Sequence, residues 1–87
     1  MTLSGTGSLW LDGEQVFAAL RYAVTVVPHG VMMRTTGKIQ IEPWDAGPLI
    51  MRLGPNSDLV LRLEDGRSWP CTLGSTDGDL HGRGEIR

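Results

Sequence analysis

Asp-Gly occurs at Asp12-Gly13, Asp65-Gly66 and Asp77-Gly78, and each step divides runs in which apolar and polar residues alternate. A two-residue type I′ turn needs positive φ at both central positions. Asp-Gly meets that need at low cost, and the flanking alternation supplies the strands to be joined. An antiparallel, hairpin-built β fold is the expectation.

Strands follow from the period of two. From Leu3 to Leu11 the odd positions are Leu3, Gly5, Gly7, Leu9 and Leu11, against Ser4, Thr6, Ser8 and Trp10. Gln15 to Val27 is β-rich but long for one flat strand. Tyr22, Val24 and Val26 share one parity, and Phe17 and Ala19 share the other. A bulge near Leu20-Arg21 would bring both sets to one side. A helix over Glu14–Arg21 is the alternative, opposed beyond it by the β-branched run from Val24 to Val27. Pro28-His29-Gly30 reads as a turn. Val31 to Glu42 alternates well, with Arg34, Thr36, Lys38 and Gln40 facing water. Leu59, Leu61 and Leu63 then match Trp69, Cys71 and Leu73 across a hairpin. Pro70, lacking an amide donor, belongs at an edge or where no partner is needed. Leu80 to Arg87 closes the series.

Residues 43–57 break the alternation. Pro48, Gly54 and Pro55 punctuate a short helical turn over 48–53, with Leu49 and Leu53 one turn apart. A strand bearing Leu49, Met51 and Leu53 on one face competes with it, and the punctuation favours the turn. Inward glycines at Gly5, Gly7, Gly37, Gly82 and Gly84 let strands coil and let other segments approach their backbones. The fold class is therefore all-β: a small six-stranded antiparallel meander curled into a barrel or barrel-like sheet. One short helical turn or irregular plug lies around 43–57. In up-and-down order the first and last strands would pair, which removes two edges.

A chain of 87 residues makes a single domain over 1–87. It buries roughly 60–65% of its unfolded surface. The twelve glycines and five prolines are spread among the strands rather than gathered in one tract, so they read as turns and bends. Eight basic against ten acidic residues give a formal charge of −2, and Lys38 is the sole lysine. That balance disfavours nucleic acid, which is met by basic patches. Cys71 is the one cysteine, so no internal disulfide forms, which fits a reducing cytoplasm. The N-terminal residues show no secretory pattern, and no run is long enough to span a membrane.

Chemistry-bearing constellations are not found. His29, His81 and Cys71 lack metal-ligand spacing. Asp77-Gly78-Asp79 lacks the further ligands of a calcium loop and reads as a turn. Cys71, between Pro70 and Thr72 on the apolar parity, reads as a buried inert thiol. Glu64-Asp65 point to opposite faces and do not converge for acid–base work. Dinucleotide and P-loop glycine patterns are missing. So are the R-x-x-x-R and D-x-S-x-x-G signatures of β-barrel cyclic-dinucleotide receptors. Arg83 and Arg87, with Arg21 elsewhere, read as a solvated outer face. No catalytic, metal or cofactor-binding residues are assigned.

The tryptophans divide. Trp69 has inward parity. Trp44, beside Pro43, is a plug for one end of the barrel and a candidate end-of-barrel ligand site. Trp10 lies on the parity opposite Leu9 and Leu11, and with Val27, Met32 and Val60 it forms the candidate interface. The leading expectation is a non-catalytic interaction or structural module whose partner is another protein or a second copy, as in a homodimer. Small-molecule binding at one barrel end, near Trp44, is the alternative, and weak nucleic-acid binding ranks third.

Overall fold

A computed structural model describes residues 2–30, 32–54 and 57–87, with backbone only at 29, 32 and 33. The chain forms β1 (Thr2–Leu11), β2 (Glu14–His29), β3 (Met32–Ile39), α1 (Pro43–Arg52), β4 (Leu59–Arg62), β5 (Ser68–Leu73) and β6 (Asp79–Gly82). All strand pairs are antiparallel, and the sheet closes as a barrel in the order β1-β2-β3-β6-β5-β4. The all-β barrel with one short helix is thus the observed architecture. Its order departs from a simple meander. Two three-stranded meanders join through α1, so β1 pairs with β4 and β3 with β6, and first and last strands do not meet.

Only one Asp-Gly step is a two-residue turn with both residues at positive φ: Asp12 at 51° and Gly13 at 83°. At the other two steps glycine alone is left-handed, Gly66 at 92° and Gly78 at 91°. Gly66 donates to the Leu63 carbonyl at 3.0 Å, and Leu63 donates to the Arg67 carbonyl at 2.7 Å. That is a type I turn closed by a glycine bulge, in which the aspartate precedes the left-handed residue. The Asp65 carboxyl is held below its ordinary pKa first by the Arg67 backbone N–H and also by the Arg67 guanidinium.

The inward set is as the alternation predicts. Trp69, Leu9, Ile39, Leu59, Leu61, Leu80, Val24 and Cys71 are almost wholly buried, and Leu11, Leu20, Tyr22, Leu63 and Leu73 complete the barrel interior. β2 is one bent strand rather than a helix. Its register against β1 slips between Gly7 and Leu9 and again between Leu9 and Trp10. The extra residues fall on β2 in the stretch 16–19, nearer the turn than Leu20-Arg21. Ala19 is consequently exposed, whereas Leu20 is buried and Val16 and Phe17 are half-buried against the core.

Inward glycines allow close approach. A Cβ at Gly7 would meet the Arg62 carbonyl, and one at Gly37 would sit 2.9 Å from the Trp69 ring. At Gly82 it would lie 2.9 Å from the Thr35 carbonyl and 3.2 Å from Trp69 Nε1. The largest core side chain therefore lies against two strands that carry no side chain at the contact. Trp69 Nε1 is buried with no hydrogen-bond partner.

α1 begins five residues earlier than the punctuation at Pro48 suggests. Pro43 occupies the first helical position, where a missing N–H costs nothing. Pro48 lies inside and removes one intrahelical bond. What holds the helix is its inner face: Ala46 and Leu49 are buried, and Ile50 and Leu53 pack partly on the core. These residues, not Trp44, plug the barrel. Trp44 is 72% exposed because it falls on the opposite side of the helix from Ala46 and Leu49.

The last strand also ends early, at Gly82 rather than Arg87. The cause is Pro70. Its carbonyl accepts from the Arg83 N–H at 2.9 Å, but it has no N–H to return the bond. The chain leaves the ladder there and rejoins it at Arg87, which exchanges two bonds with Ser68 at 2.6 and 2.8 Å. Ile86 tucks partly onto the core between these points.

Candidate functional site

The four candidate interface residues occupy two places. Trp10 and Val60 are cross-strand partners on β1 and β4, and Val60 partners Pro70 on β5. Partners in a ladder present side chains to the same face, so the three form one apolar row on the outside of the barrel. Each is half-buried. Val27, 49% exposed, lies near the other end of β2 in the hairpin with β3. Met32 opens β3 opposite His29, and its side chain lies outside the described residues.

Trp10 is held in place. Its indole N–H donates to Ser8 Oγ at 2.8 Å, and the Arg62 guanidinium lies over the ring, 5.1 Å from the centroid. Ser8, Arg62 and Ser68 are register partners on β1, β4 and β5, and Arg87 continues that row through its paired bonds with Ser68. An apolar row and a row bearing two arginines therefore run side by side. Arg83, opposite Pro70, folds its guanidinium onto the Ser57 carbonyl at 2.5 Å. A shallow cavity of about 250 Å³ opens beside Arg62, lined also by Thr6, Ser8, Gln15 and Glu64. Sequence parity identified Trp10 and Val60 as outward. It also read Arg83 and Arg87 as a solvated outer face, but the grouping of Pro70, Arg62 and Arg87 with Trp10 follows only from the pairing of β4 with β1 and β5.

The second region is the β2–β3 hairpin. β6 pairs with β3 only over Thr36–Lys38, so the hairpin beyond Thr35 projects past the barrel as an arm. Likewise β4 pairs with β1 only over Ser8–Leu11, and no described strand pairs with the outer edge of β1 from Thr2 to Gly7. That edge carries no charged residue and no proline.

Among the described residues no group of three His, Cys, Asp or Glu is placed to hold a metal ion, and no helix is long and apolar enough to cross a membrane. Cys71 is fully buried, and desolvation pushes its thiol up to about 12, so it stays protonated at neutral pH. Trp44 stands clear of the cavity beside α1, which measures about 270 Å³ and is lined by Glu14, Phe17, Asp45, Pro48 and Arg52 among others. Comparison with family models, curated proteins and solved structures gave no match.

Proposed function

We propose that this chain is a non-catalytic interaction module that meets a protein partner through the outer face of β1, β4 and β5. The observation that carries this reading is the row Trp10–Val60–Pro70. Three apolar side chains lie side by side on the water-facing side of a barrel whose interior is already filled. An aromatic anchor fixed by its own hydrogen bond loses little entropy on binding, which is what interface hot spots require. Self-association is one form of the reading, with the uncharged β1 edge as a further surface for a second copy. Capture from cell lysate by wild type and by Trp10→Ala tests it. A protein, or a second copy of the chain, should be retained by wild type and lost by the equally folded variant. Identical retained sets would refute the reading.

A second reading, a small molecule bound at the helix-capped end, draws support from the cavity between α1 and β2. A screen of metabolites and nucleotides by tryptophan fluorescence, repeated with Arg52→Ala, tests it. The absence of any Arg52-dependent response removes it.

A further inference from the structure

The two rows beside Trp10 carry more information than a generic interface. Arg62, Arg83 and Arg87 are three of the chain's eight basic residues, in a protein whose net charge is −2. Among the described residues the ion pairs are Arg52–Glu14 and Arg67–Asp65, so neither Arg62 nor Arg87 has a carboxylate partner. Among the described residues the acidic groups on the same segments form no ion pair with either arginine. Glu64 shares the shallow cavity with Arg62 but turns its carboxylate against Gly5, Asp65 is bonded to Arg67, and Asp58 sits beside Asp12 at the capped end. Glu85 falls in the irregular tail between the two terminal arginines. Guanidinium groups without a carboxylate partner are suited to carboxylates, which they bind through two parallel hydrogen bonds.

Spacing narrows the partner. Arg62 and Arg87 stand two strands apart in one row, roughly 10 Å at the usual interstrand distance. A peptide in the extended polyproline II conformation advances about 3.1 Å per residue and turns once every three residues, so carboxylates three residues apart face the same side and span roughly that gap. The parallel row of Trp10, Val60 and Pro70 lies roughly 7 Å away, within reach of an apolar side chain from the same peptide. Single-stranded nucleic acid is less well matched, because base-stacking platforms use successive aromatic side chains and this face has one.

We propose that this face docks an extended acidic peptide segment of a partner protein, with its carboxylates on Arg62 and Arg87 and an apolar side chain on the Trp10–Val60–Pro70 row. The inference rests on the interaction-module reading and names the partner's chemistry.

Panning a soluble library of random decapeptides against the intact protein tests it, with wild type, Arg62→Glu/Arg87→Glu and Lys38→Glu as baits. Wild type and Lys38→Glu should both enrich peptides in which Asp or Glu flanks an aromatic or aliphatic residue. The double variant should bind the recovered peptides about tenfold or more weakly. It should instead enrich lysine- and arginine-bearing sequences, a gain that misfolding could not produce. No acidic enrichment by wild type would overturn the proposal, as would an unchanged preference in the double variant. Tighter binding of an oligouridylate than of the best acidic peptide would overturn it in favour of nucleic acid. Should the Trp10-dependent lysate partner persist while acidic enrichment fails, the peptide chemistry is wrong and the module reading stands.

Discussion

The two ends of this barrel are built from the same turn chemistry and put it to opposite use. At the capped end, Gly78 is left-handed and wedged against Ile39, whose N–H donates to the Gly78 carbonyl at 2.9 Å. At the tip of the projecting arm, Gly30 is left-handed too, at φ 65°, but nothing lies within 4 Å of where its Cβ would be. The capped end also has Ala46 and Leu49 of α1 buried in it, and the Asp12 turn is tied to Asp58, just before β4, by two hydrogen bonds of 2.8 Å. One end is over-determined by its neighbours. At the other, no described strand pairs with β3 beyond Thr36 except β2.

The contrast can be broken most forcefully at Gly78. Gly78→Val combines unfavourable φ with a clash against the Ile39 carbonyl, and a loss of more than about 3 kcal/mol is expected in urea denaturation. A loss under about 1 kcal/mol would mean that the β5–β6 turn is not wedged as described. Leu49→Ala should come next, at about 2–4 kcal/mol, since it leaves a cavity under the helix. On the same helix Met51→Ala, at a residue 88% exposed, should change stability by less than about 0.5 kcal/mol. Equal effects of these two would show that α1 does not plug the barrel.

How much of this could be read from the sequence depends on the range of the interaction. Alternation sorted Leu59, Leu61, Trp69, Cys71 and Leu73 to the inside, because parity along a strand is local. The glycines pointed to closure, and Gly7 and Gly37 are indeed sites of close approach. Strand order was not legible, because nothing within β1 or β6 states that a helix will carry β4 back beside β1. The same gap hid most of the candidate site. Trp10 could be recognised as outward, but Arg62 over its ring and Pro70 two strands away are products of that pairing. The start of α1 was missed because Pro48 marked a plausible first position while Pro43 marked the real one.

Cys71 gives a pH-dependent measure of the closed interior. Its thiol is raised from 9.0 to about 12 by burial, so the folded state keeps the proton through a range in which the unfolded chain releases it. Below pH 9 both states are protonated and the group is neutral in its effect. Between pH 9 and 12 the unfolded chain binds fewer protons, and stability should fall by about 1.4 kcal/mol per pH unit. Cys71→Ala should lose that slope. Denaturant midpoints from pH 8 to 11 would check it, and parallel slopes for the two proteins would mean that the thiol ionises equally in both states.

The gentlest comparison returns to the arm. Gly30→Ala should cost only about 1 kcal/mol, the strain of a left-handed alanine in open space. Native-state hydrogen exchange should locate that cost. The Ile39 amide, bonded to Gly78 at the capped end, should exchange only through global unfolding, in wild type and variant alike. Amides of the β2–β3 ladder beyond Thr35 should exchange faster than Ile39, through local opening, because no third strand covers that edge of β3. Gly30→Ala should quicken those amides more than it quickens Ile39. Uniform acceleration across both regions would show that the arm and the barrel open as one unit, and that the division between the two ends is false.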